Sequence, residues 1–328
     1  MLGEMFVPDQ NIFDAIPVTR HASEEDAAAG LQKLGQVGTA PNPQWLFRGQ
    51  VSRQPKRKWP PVDEPQVKMH ALEMEQLQPS DYRELEARLE KGESKAGLDP
   101  IYGDRVVGIR STLTTYLMQC HSCWGDTAIQ AWFVGLAGSS KADKLLSIGQ
   151  HYGLRTHLMD WSADWEAAMW FASHQWTTGD YVKGGDGVIY QLKVRDLVQA
   201  EHDANAALGL VIPNAMRRHV DIRDTPALLA PRASAQRGAS IANVESPCFL
   251  QELIRQNALS VHVFPRGTTP SSLNSITKEQ LVPPADQMAA LFDEAGQGGA
   301  LFQHAIGWIH ANFPTLTPTV HDRGLIFA

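Results

Sequence analysis

A mixed α+β fold follows from three features of this 328-residue sequence. Short apolar and aromatic runs bounded by turn-forming residues, such as Trp45-Leu46-Phe47 and Val188-Ile189-Tyr190-Gln191-Leu192, have the size and flanks of strands. Longer stretches repeat their apolar residues at intervals of three and four, as helices do. The apolar fraction of 43% and the charged fraction of 20% are those of an ordinary globular chain long enough to bury a sizeable core. We expect a small, strongly twisted, mainly antiparallel split sheet, a helical layer inserted at about residues 64–148 and a helical C-terminal extension.

Along the chain, residues 23–34 open with the capping run Ser23-Glu24-Glu25-Asp26 and predict a short helix, followed by the Gly- and Pro-rich linker GQVGTAPNP. Trp45-Leu46-Phe47 then predicts a strand that stops at Arg48-Gly49-Gln50. Residues 54–61 predict a basic, proline-containing loop, and 64–91 a polar helix interrupted near Pro79. Residues 104–124 and 125–136 predict two packed helices, and 147–161 a turn region between helices. From 164 to 176, Trp165, Ala168, Met169, Ala172 and Trp176 share one face, predicting an amphipathic helix on a core. Strands are expected at 188–192, at 259–264 and, shorter, around Ala239-Ser240-Ile241; helices at 278–281 and 286–309. The resulting division is 1–43, 44–268 and 269–328, with no internal repeat.

A formal charge of −7 argues against a protein that grips nucleic acid through its overall field. Three cysteines form no disulfide framework and suit a reducing cytosol. No run of 18 apolar residues and no basic-then-apolar leader occurs, so neither a membrane span nor a secretory signal is expected. Cys120-His121-Ser122-Cys123 has zinc-like spacing but no second pair, and reads as thiols in a helix, with no metal expected. Arg53, Lys56, Arg57, Lys58 and Trp59 could follow a polynucleotide, or be a solvated basic loop.

Two segments concentrate chemistry. Trp45-Leu46-Phe47-Arg48-Gly49-Gln50 can present a guanidinium to phosphate while the glycine admits a planar ligand close to the backbone; a plain turn is the alternative. In Gln150-His151-Tyr152-Gly153-Leu154-Arg155-Thr156-His157-Leu158-Met159-Asp160-Trp161-Ser162, polar and aromatic residues crowd a connection that feeds a helix N-terminus, a good place for an anion. A well-packed turn in which Thr156 and Asp160 satisfy backbone groups accounts for the same residues.

Together these segments resemble the FRG domain, named for its Phe-Arg-Gly tripeptide. The resemblance rests on WLFRGQ and on QHYGLRTHLMDWSADWEAAMWFA, with departures at Arg155 and His157, where the family usually has proline and arginine. A third block is matched by Arg232, Gln236 and Gly238, so the likeness spans about residues 44–268. A looser likeness, in the order of elements, is to the ADP-ribosyltransferases with an Arg-Ser-Glu signature, which implies a split sheet of that type.

That second likeness implies NAD as substrate and a macromolecular acceptor, protein or nucleic acid, in toxin or phage-defence biology. Arg48 would hold the pyrophosphate and the Gly49 backbone the nicotinamide amide, with Gln50, His151 and Asp160 also in the pocket. Thr156 or Ser162 would support the ribose, and Tyr152 or Trp161 would stack on the nicotinamide. Breaking the nicotinamide bond leaves an oxocarbenium-like ribose, so gripping both phosphates and the leaving group lowers the barrier. Gln236 stands where a carboxylate is usual and cannot act as a base; Glu245 or Glu252 would supply the acid. Arg48, Gly49, His151, Tyr152, Asp160 and Gln236 are then expected in one cleft. A non-catalytic nucleotide- or nucleic-acid-binding module and an NAD glycohydrolase remain as alternatives.

Overall fold

The computed structural model describes residues 16–34, 44–52, 56–59, 62–64, 67–69, 72–75, 91, 104–136, 140–154, 156, 158–194, 197, 219–242, 253–273, 275–296, 300–312 and 314. The chain forms two compact units. The first comprises Met1–Leu77, Trp161–His219 and Asn243–Lys278; the second comprises Gln78–Asp160, Val220–Ala242 and Glu279–Ala328. Helices and a mixed sheet make it an α+β protein.

In the first unit, β1 (Val18–Arg20) pairs in parallel with β11 (Leu259–Pro265), which pairs antiparallel with β8 (Asp186–Lys193). Beside β8 lies β2 (Trp45–Gln50), antiparallel, and Phe47 faces Ser162 at the end of β7 (Leu158–Ser162). Contrary to expectation, β2 does not stop at Arg48. Arg48 pairs with Tyr190, Gly49 with Ile189 and Gln50 with Val188, because a ready-made neighbour strand carries the ladder on.

One face of this sheet is covered by α1 (Glu24–Gln32) and α5 (Trp165–Ser173). Ser23 caps α1, its Oγ accepting from the Asp26 amide, and the acidic first turn suits the positive end of the helix. Phe47, Ala168, Met169, Ile189 and Phe264 form the core between layers. Helix α5 ends at Ser173, three residues before Trp176, which is 40% exposed; Trp170, off the expected stripe, is buried. The helix is therefore enclosed nearly all round rather than amphipathic.

Residues 56–75 correct the sequence reading twice. The expected basic loop contains β3 (Lys56–Trp59), and the first part of the expected polar helix contains β4 (Val62–Glu64), β5 (Val67–Met69) and β6 (Leu72–Glu75). These pair antiparallel as β3 with β6 and β4 with β5. Pro60, Pro61 and Pro65 oppose helix, and Leu72-Glu73-Met74-Glu75 alternates with a strand's period. The rest of that expected helix, 76–90, lies outside the described residues.

The second unit is mainly helical: α2 (Asp104–Cys120), α3 (Thr127–Gly135), α4 (Ser140–His151), α6 (Pro231–Ala235), α8 (Gln287–Gly296) and α9 (Ala300–Asn312). The short helix α7 (Lys278–Leu281) leads into it. Leu113, Leu117, Leu146, Ile148, Phe292 and Ile309 meet in its core. The opening residues of β7, then β10 (Gly238–Ala242), then β9 (His219–Asp221) form its strands. Most of the expected turn region 147–161 is thus regular structure: α4 runs to His151 because Leu145, Leu146 and Ile148 are buried, and Gly153, at φ +92°, ends it. The single C-terminal helix expected at 286–309 is two, with Gly296, Gly298 and Gly299 at their junction.

Candidate functional site

Successive residues of β2 point to opposite faces, which sorts the Phe-Arg-Gly tripeptide into two roles. Phe47 and Gly49 face α5. A Cβ on Gly49 would stand 1.8 Å from the Ala168 carbonyl oxygen and 2.8 Å from the Ala172 amide nitrogen, so glycine is demanded here by helix packing. Arg48 and Gln50 face the other way, together with their partners Tyr190 and Val188. Since Ser162 shares Phe47's side, Trp161 lies on the Arg48 side.

On that face Trp161 Nε1 and Gln50 Oε1 are buried and have no hydrogen-bond partner. Buried polar groups are nearly always paired, so such atoms call for a ligand or a water. Ser162 is spent locally. It is buried, its Oγ accepts from the Asp164 amide at 2.9 Å, and Asp164 in turn caps α5 through the Glu166 amide at 3.0 Å. Arg266 holds this region together from behind the sheet turns, donating to the carbonyls of Val51, Ala172, Gly184 and Asp186 at 2.6 to 3.1 Å.

His151, Tyr152, Thr156, Asp160 and Gln236 belong to the second unit. His151 is the last residue of α4. Gln236 follows α6, whose first residue is Pro231, and Arg237 takes a left-handed φ of +45° that turns the chain into β10. This brings Gln236 Oε1 to 2.9 Å from His151 Nδ1, while Gln236 Nε2 donates to the Leu281 carbonyl at 3.1 Å. Both ends of the amide are engaged, and the residue is buried. His151 Nε2 is buried without a hydrogen-bond partner, 4.0 Å from Asp160 Oδ1. Gly238 lies beside it: a Cβ there would approach Nε2 to 2.7 Å.

Tyr152 packs as a core residue. Its ring stacks on Phe292 at 5.5 Å and under the Arg232 guanidinium at 4.9 Å, and its hydroxyl accepts from the Arg232 amide. Burial, with the nearby Asp286 carboxylate, pushes the phenol well above the usual tyrosine range. Arg232 also donates to the His151 carbonyl at 3.0 Å and faces Asp286 at 3.9 Å. Thr156 is fully buried, donating to Gln150 and accepting from the Leu158 amide at 3.1 Å. Glu245 and Glu252, the expected acids, lie outside the described residues, as do Arg155 and His157.

The sequence reading passed over the Leu281 carbonyl and Asp286, because a main-chain acceptor and an acid 135 positions beyond His151 carry no local pattern. Cys123 Sγ lies 2.8 Å from His121 Nδ1, and Cys120 is exposed. Among the described residues no three metal-binding side chains cluster, and no helix is long and apolar enough to cross a membrane.

The chain matches the FRG domain over residues 127–180, a stretch from α3 through β7 and α5 that contains the Gln150 to Ser162 block. No curated protein and no solved structure matches it.

Proposed function

We propose that this chain, which carries an FRG domain, binds NAD at the β2 face bearing Arg48 and transfers its ADP-ribose to a macromolecule. The observation that carries the reading is the pair of buried atoms left unpaired beside Arg48. A carboxamide such as that of nicotinamide offers one acceptor and two donors, the complement of the Trp161 N–H and the Gln50 carbonyl. Arg48 supplies the charge that a pyrophosphate requires, and an arginine fork suits phosphate oxygens better than a lysine would. The Trp161 indole adds an aromatic surface to the same side of the sheet.

A second reading has its own support. Gln236, expected to anchor the ribose, is occupied at both ends of its amide, which favours a module that binds a nucleotide without reacting it.

Incubating the protein with NAD labelled in the adenosine half, together with protein, RNA and DNA, separates the readings. Label on one polymer supports transfer, nicotinamide release without labelling supports hydrolysis, and binding without turnover supports the module. Arg48→Ala should weaken NAD binding at least about tenfold, since a charge-assisted hydrogen bond is worth about 1.5–3 kcal/mol. Unchanged affinity in that variant removes the reading.

A further inference from the structure

We propose that Cys120 and Cys123 form a redox-reactive dithiol: Cys123, with His121 as its base, attacks a low-molecular-weight disulfide, and Cys120 then closes an internal disulfide. The site lies wholly within the second unit, where α2 ends at Cys120 and the chain turns toward α3. It uses none of the residues of the NAD reading. The tautomer of His121 follows from its contacts. Its Nδ1 accepts from the Cys123 backbone amide at 3.1 Å. A backbone N–H can only donate, so Nδ1 bears the lone pair and the neutral ring carries its hydrogen on Nε2. Cys123 Sγ lies 2.8 Å from that same nitrogen, so the thiol hydrogen faces a base. The Leu228 carbonyl, 3.7 Å from Sγ, is the more distant acceptor.

The surroundings keep this pair neutral at rest. Burial lifts the Cys123 thiol above the ordinary thiol range, and the Asp126 carboxylate adds to the effect. Burial lowers His121, and the Asp286 carboxylate partly offsets that. A thiol of raised pKa gives the stronger nucleophile once its hydrogen is removed, and a neutral histidine stands ready to remove it. Cys120 is raised by burial too, but faces the Tyr116 hydroxyl and the Glu294 carboxylate instead of a base. Access suits the two roles. Cys123 is half-buried beside its histidine, Cys120 is exposed, and only two residues separate them. Ser122, between them, is anchored on α8, its amide and hydroxyl both donating to Gln287 Oε1 at 3.3 and 2.6 Å.

In the first step the Cys123 hydrogen passes to His121 Nδ1 while the sulfur's electron pair forms a bond to one sulfur of the incoming disulfide. The incoming S–S bond breaks, and its other half leaves as a thiolate that takes the proton from His121. In the second step Cys120, losing its proton to solvent, attacks Cys123 Sγ, and the remaining half leaves as a thiol. The dithiol is oxidised by two electrons, and one external disulfide is reduced to two thiols.

The test is to incubate the reduced full chain with glutathione disulfide, quench with acid and map the cysteines by mass spectrometry. Glutathione should appear first on Cys123, about tenfold or more faster than on the more exposed Cys120. It should then be lost as the Cys120–Cys123 disulfide forms, and in Cys120→Ser the adduct on Cys123 should persist. His121→Asn, checked for folding by circular dichroism, should slow modification of Cys123 about tenfold or more near neutral pH. Its rate should fall about tenfold per unit as pH drops from about 8 to 6.5, following the thiol alone, while the wild-type rate falls less steeply because His121 stays neutral there. First modification at Cys120, an adduct on Cys123 that persists in the wild type, or no reaction at either thiol overturns the proposal. So does a folded His121→Asn with wild-type rates at every pH. If that variant does not fold, the order of modification and the slope of the wild-type pH profile decide: a full tenfold fall per unit in the wild type removes His121 as the base.

Discussion

The two units treat their motif residues in opposite ways. In the first, backbone and glycine do the packing: Gly49 lets α5 settle on β2, and the polar atoms on the far side of the strand, Gln50 Oε1 and Trp161 Nε1, are left without protein partners. In the second, side chains do the packing. Thr156, Tyr152, Arg232 and Gln236 all bond within the unit, and His151 Nε2 is one of the buried polar atoms there that make no hydrogen bond. A motif residue therefore earns a functional reading by its spare valence rather than by its presence in the motif.

The largest expected effect is that of Gly49→Ala. A methyl group 1.8 Å from a helix carbonyl forces β2 and α5 apart, which should cost about 3 kcal/mol or more in urea unfolding. A loss of less than about 1 kcal/mol would show that the strand does not need the bare backbone, and the contrast between the units would fail on its first side.

Acid should weaken the first unit next most strongly. Burial, and then the neighbouring His21, holds His262 at about 4, against the ordinary value near 6.5. Its Nε2 sits 2.6 Å from Gln191 Oε1 and its Nδ1 3.0 Å from His21 Nε2. Between those two pH values the unfolded chain takes up a proton that the folded chain refuses. Stability is lost as pH falls from about 6.5 to about 4, by on the order of 3 kcal/mol. Denaturant titrations across that window should show the loss, and His262→Gln should flatten it by a similar amount.

Gln236→Leu should cost about 1–3 kcal/mol, because it strands the Leu281 carbonyl and His151 Nδ1. A neutral outcome would mean that the second unit does not depend on its internal polar bonds. Smallest in stability is Trp161→Phe, which removes an N–H that bonds nothing: unfolding free energy should change by less than about 0.5 kcal/mol while NAD affinity falls several-fold. Measured side by side by denaturation and by calorimetric titration with NAD, these two variants separate a polar group used for folding from one kept for a ligand.

Much of the architecture is written in local pattern. The capping run at Ser23, the apolar period of 104–136 and the β-branched and aromatic run at Val188 all became the expected elements, since each signal resides within a few consecutive residues. Where the reading missed, a long-range partner decided. Arg48-Gly49-Gln50 looks like a loop until β8 is there to pair with it, and residues 56–75 look like a basic loop leading into a polar helix until β3 meets β6 and β4 meets β5.

The sequence by itself determined that this is an α+β chain that matches the FRG domain over residues 127–180, and it singled out the residues that could bear chemistry. Those facts depend on residue type and spacing, which are local. Only the tertiary structure decided that Gly49 serves helix packing, that Gln236 is occupied at both ends and that His151 Nε2 is buried without a hydrogen-bond partner. A hydrogen bond or a clash is a relation between segments far apart in the chain, and a side chain's spare valence is known only once every neighbour has been placed.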